Sequence, residues 1–130
     1  MRRALLYVAC GFTALFALGH SVGTFSEPKP GAQSAVALAM KSAPFDLFGA
    51  ERTYWEMFHA YGVIIIGAAV FLALLLFLLS RLDARTARPF LIATAALQLL
   101  FAVEGFASFF WAPGLFNAIS AACALVAAFL

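Results

Sequence analysis

Three features of this chain predict an all-α integral membrane bundle of four helices with a long loop between the first and second. They are its apolar composition, its four separated hydrophobic runs and the segregation of its basic residues. Of 130 residues, 65% are hydrophobic and 11% charged, with a mean hydropathy of +1.01, which excludes a soluble globular domain. A spanning helix needs about 20 mostly apolar residues, so the length predicts one transmembrane domain, residues 1–130, and no soluble one. The net charge of +2 is small and gives no basis for nucleic-acid binding.

The first span is predicted over 4–22, the second over 54–79, the third over 90–110 and the fourth over 114–130. Arg2 and Arg3 precede the first span, and Arg81, Arg85 and Arg88 fill the link between the second and third. By the positive-inside rule that side is cytoplasmic, which puts both termini inside. The loop 23–53 and the turn Trp111-Ala112-Pro113-Gly114 are then outside. At about 26 residues, or about 39 Å, the second span must tilt to fit a bilayer. Tyr54, Trp55, Tyr61 and Trp111 lie at outer helix ends, as an interfacial aromatic belt requires.

In the outer loop, Pro28 and Pro30 keep Ser26–Gly31 out of a helix. The run from Gln33 to Lys41 predicts a short interfacial helix, and Phe45, Leu47 and Phe48 follow as bulky apolar groups. Together they suggest a flap over the outer end of the bundle. Gly19-x-x-x-Gly23, Gly62, Gly67 and the Ala-rich fourth span predict close helix packing, within one chain or in a homo-oligomer. Cys10 and Cys123 lack any metal or redox spacing and read as small core residues.

Four ionisable side chains, His20, Glu56, His59 and Glu104, fall within the predicted spans near the outer side. Such groups are costly in a membrane and mark functional sites by default. Counted at 1.5 Å per residue, His59 and Glu104 lie at the same depth, each about 8–9 Å from the outer helix end. They are an acid and a base suited to proton transfer. Glu56 has two readings. It is spaced i, i+3 from His59, the Glu-x-x-His spacing of di-metal bundles, and Thr53-Tyr54-Trp55-Glu56 also matches a helix capping box. Thr13 shares the His20 face, Ser108 the Glu104 face, and Asn117 and Ser120 a face of the fourth span. Gln98 points about 120° from Glu104 and lies deeper, so it is set outside the site.

Gly19-His20-Ser21-Val22-Gly23-Thr24, Phe45-Asp46-Leu47-Phe48-Gly49 and Arg52-Thr53-Tyr54-Trp55-Glu56 together resemble a family of small bacterial four-span membrane proteins. The resemblance implies the topology and a bacterial cytoplasmic membrane, and no reaction. In architecture alone, an apolar bundle lined by a few Glu, His and Trp residues is similar to the emopamil-binding and sterol isomerase family.

Three functions are expected. The first is a lipophilic small molecule bound near the outer face and isomerised or cyclised, with Glu104 and His59 as acid and base, His20 and Glu56 assisting. Trp55, Trp111, Phe48, Tyr61, Asn117 and Ser108 would line that site. The second is a haem between His20 and His59, or a transition metal held by His20, Glu56, His59 and Glu104. The third is a non-catalytic subunit of a membrane assembly.

Overall fold

The computed structural model describes all residues, Met1–Leu130, as four long helices with a small cap at one end. In chain order the elements are α1 (Arg2–Phe25), α2 (Ala32–Ser42), β1 (Pro44–Leu47), β2 (Ala50–Thr53), α3 (Tyr54–Leu79), α4 (Ala84–Ser108) and α5 (Trp111–Ala128). The helices α1, α3, α4 and α5 are each long and apolar enough to cross a membrane, so the chain is a multi-pass membrane protein. Only 27 of the 130 residues are buried, and large apolar side chains such as Leu18, Val22, Ile64 and Phe71 are exposed. Such a surface suits lipid, not water.

Helix ends follow local chemistry. α3 covers the predicted 54–79, because Thr53 and Glu56 form a reciprocal cap: the Thr53 amide donates to Glu56 Oε2 (2.7 Å) and the Glu56 amide to Thr53 Oγ1 (3.2 Å). α4 begins at Ala84 instead of Phe90, so Arg85 and Arg88 are helical and not part of a link. Asp83 caps it by accepting from the Thr86 amide at 2.9 Å. The Thr86 amide and then its hydroxyl hold the Asp83 carboxyl below the usual aspartate range. Pro89 is tolerated in α4 because it lies near the N-terminus, where its missing N–H leaves only the Arg85 carbonyl without its helical donor. α5 begins at Trp111, so the predicted Trp111–Gly114 turn is its first turn, where Pro113 needs no amide. The connection is only Phe109-Phe110.

α1 packs along α3 and α5, α5 packs along α4, and α3 and α4 touch lightly. At the end bearing the arginines all four helices converge on one buried core that includes Leu6, Leu76, Leu79, Leu91 and Ala124. Arg2 Nη1 and Nη2 donate there to the carbonyls of Leu82 (2.9 Å) and Leu79 (3.2 Å), placing a cation at the C-terminus of α3.

At the opposite, loop-bearing end the bundle separates into two pairs. Gly62 lies so close to α1 that a Cβ there would be 2.5 Å from Thr24 Cγ2. Gly105 lies so close to α5 that a Cβ would be 2.6 Å from the Gly114 nitrogen. The α4–α5 pair is thus in near-backbone contact, and in the α1–α3 pair the Thr24 side chain packs onto the bare Gly62 backbone, as small residues allow. Gly19, Gly23 and Gly67 have open space where a Cβ would stand. Their predicted packing role is therefore not exercised within this chain.

The cap over that end contains the expected short helix, α2, and a β-hairpin that hydropathy did not suggest. β1 and β2 are antiparallel, with Pro44 opposite Thr53 and Leu47 opposite Ala50. Phe48 (φ 54°) and Gly49 (φ 87°) form the two-residue turn, with both central residues at positive φ as tight hairpins prefer. Asp46 Oδ1 accepts from the Gly49 amide at 3.0 Å. The cap is tied to α3 by Phe45 against Tyr54 (4.7 Å between rings) and by the Lys41 ammonium 4.5 Å over Trp55.

Candidate functional site

The division into two pairs leaves an apolar chamber of about 420 Å³ between them. α1 contributes Leu15, Phe16, Gly19 and His20, α3 contributes Tyr61 and Ile65, and the α4–α5 turn closes it with Phe109, Phe110, Pro113 and Phe116. Gly19 and Gly23 make room for it by lacking side chains. His20 is the one ionisable group on its wall other than the Tyr61 phenol. Its ring packs on Phe16 at 5.7 Å, and its Nε2 is buried with no hydrogen-bond partner.

The other predicted site residues are dispersed. His59 is half-buried among Trp55 (4.7 Å), Phe58 (6.0 Å) and Phe25 (6.3 Å), with Nδ1 buried and unpartnered. Glu104 is exposed on α4, and its side chain meets only the Ser108 hydroxyl at 3.4 Å. The expected His59–Glu104 pair is therefore absent. Glu104 faces out of the bundle. Glu56 is exposed and engaged as a helix cap. No group of three or more His, Cys, Asp or Glu side chains is close enough to hold a metal ion, so the proposed His20, Glu56, His59 and Glu104 ligand set is not assembled.

Of the predicted wall residues, Tyr61 lines the chamber and Trp55 lines a neighbouring cavity beneath α2. Phe48 is wholly exposed at the hairpin tip, and Trp111 and Ser108 are exposed at the α4–α5 end, so none of these three walls the chamber. Asn117 is buried, but its Nδ2 donates to the Pro113 carbonyl (2.8 Å) and it does not line the chamber.

A second polar feature lies deeper and was placed outside the site from sequence. Gln98, with no exposed surface, donates through Nε2 to Thr13 Oγ1 at 2.8 Å. Thr13 Oγ1 and Ser120 Oγ are 2.6 Å apart, and both approach the Ala9 carbonyl, at 2.8 and 2.6 Å. The network joins α1, α4 and α5 near mid-helix. Polar bonds between membrane helices contribute roughly 0.6 kcal/mol each on average, so it fixes helix register more than it adds stability. Gln98 Oε1 and Asn117 Oδ1 remain buried without partners. The usable sequence signal was Gln98 itself, a lone amide in an apolar span.

The fold and site define a multi-pass α-helical membrane protein with an apolar chamber at one end and a buried polar layer near its middle. No family model, curated protein or solved structure significantly matches the chain.

Proposed function

We propose that this protein binds a lipophilic small molecule in the chamber between its two helix pairs. What carries this reading is His20 Nε2, a buried and unpartnered polar atom on the wall of a mainly apolar cavity. Small-molecule sites are commonly apolar cavities of about 300–1,000 Å³ with a few placed polar groups. A buried polar group left without a partner costs about 1–3 kcal/mol, which a ligand hydroxyl or carbonyl would recover. Of the acid–base set read from sequence, only His20 reaches the chamber, so binding is favoured over isomerisation or cyclisation.

The five arginines at the closed end favour a cytoplasmic location for that end and for both termini. The chamber then lies in the outer half of the membrane, which by the sequence resemblance is a bacterial cytoplasmic membrane.

The test uses protein extracted into a native-lipid polymer disc and mass spectrometry of what it carries. Gly19→Leu starts from a Cβ position in open space on the chamber wall and puts added side-chain volume there. The wild type should release a bound lipophile that Gly19→Leu lacks. Identical contents in the two would refute the proposal.

An assembly subunit is the second reading, and exposed Glu104 on a spanning helix favours it. Stable co-purification of a partner, lost in Glu104→Leu, would support that reading.

A further inference from the structure

A second cavity, of about 550 Å³, lies beneath α2. Its surface is mainly apolar like the chamber's, but Glu27 and Lys29 stand on its wall beside Ser26 and Gln33, and the chamber has no such charged pair. The two cavities abut: Gly23, Thr24 and Phe58 line both. Along α1 the surroundings change from a cavity with charged residues on its wall, through the Gly23–Thr24 junction, to one without them. His20 lies three residues deeper than Gly23, about 4.5 Å along the helix. Its free Nε2 thus stands just inside the apolar side of the junction.

We propose that the two cavities together hold one acylated amphiphile. Its polar headgroup lies beneath α2, its ester carbonyl accepts a hydrogen bond from His20 Nε2, and its acyl chain fills the chamber. The proposal rests on the lipophile-binding reading and adds the ligand's class. A pure hydrocarbon would leave both His20 and the charged residues beneath α2 unmet. A compact polar molecule would not fill the apolar chamber. An acyl ester has its carbonyl where head and tail join, which is where the imidazole is. Glu27 and Lys29 carry opposite charges, so the headgroup is recognised by hydrogen bonding more than by net charge.

The test is displacement of a diazirine-bearing palmitoylglycerol photoprobe from the full chain in lipid nanodiscs. The competitors are 1-palmitoylglycerol, its ether analogue 1-O-hexadecylglycerol, and hexadecane. The ester should compete better than the ether by about 2- to 10-fold, the worth of one hydrogen bond, and the ether better than hexadecane. His20→Phe should make ester and ether equal while leaving hexadecane unchanged. Gly23→Leu, whose Cβ enters open space at the junction of the two cavities, should weaken both glycerol compounds more than hexadecane. Equal competition by all three compounds in the wild type overturns this inference and leaves lipophile binding standing. Photolabelling unaffected by Gly19→Leu overturns both.

Discussion

Gly105→Ala should destabilise the protein although alanine is the better helix former. At Gly105 an added Cβ would meet the Gly114 nitrogen at 2.6 Å, the Gly114 Cα at 2.8 Å and the Pro113 carbonyl carbon at 3.0 Å. All three are backbone atoms, which cannot swing aside as a flexible side chain would. Ordinary carbon contacts lie at about 3.5–4.0 Å, so α4 and α5 must separate by about 1 Å here. Overpacking of that kind costs about 1–3 kcal/mol. Replacing a helical glycine by alanine returns up to about 1 kcal/mol. The expected net effect is a loss of about 0–3 kcal/mol by difference. Gly67→Ala is the matched control, because nothing lies within 4 Å of its Cβ position. It should be neutral or more stable by up to about 1 kcal/mol. Equilibrium unfolding in mixed micelles measures both against the wild type. If Gly105→Ala gains as much as Gly67→Ala, the close α4–α5 approach is wrong.

Three further outcomes are expected. Thr13→Val should be more destabilising than Gln98→Leu in the same assay, since the first strands the buried Gln98 amide and the second removes it together with its unpartnered Oε1; the reverse order would refute the network. Glu104→Gln should change neither stability nor photoprobe binding, because the exposed carboxyl meets only Ser108; lost binding would return Glu104 to the site. Hydrogen bonds from Thr86 depress the Asp83 carboxyl's pKa, so its stabilising contribution is complete above the ordinary aspartate pKa of about 3.9 and is lost as pH falls through the lower folded value. Asp83→Asn should remove that part of the acid dependence; an unchanged acid unfolding profile would show that the cap is not formed.

The four spans, the irregular Pro28–Pro30 segment, the short helix and the Thr53–Glu56 cap were legible because each depends on nearby residues alone. Hydrophobic run length fixes a span, and a capping box closes within one turn. The hairpin was not legible, since Phe48-Gly49 lacks the usual Asn-Gly signal and its positive φ values appear only in the folded backbone. α4 and α5 began earlier than expected because proline is compatible with the first turns of a helix.

By itself the sequence counted depth along each helix, because a helix rises a fixed distance per residue, and so it levelled His59 with Glu104. It also set Gln98 about 120° from Glu104 around one helix. Which of the two faced inward was decided only by tertiary packing. A span apolar on every side carries no stripe to mark its inner face. Close contact at Gly105 and Gly114 turns Gln98 into the bundle and Glu104 out of it. The chamber has the same origin. Gly19 and Gly23 suggest contact when read along the chain, but with Gly62 and Gly105 drawing the helices into two pairs, they border the space left between them.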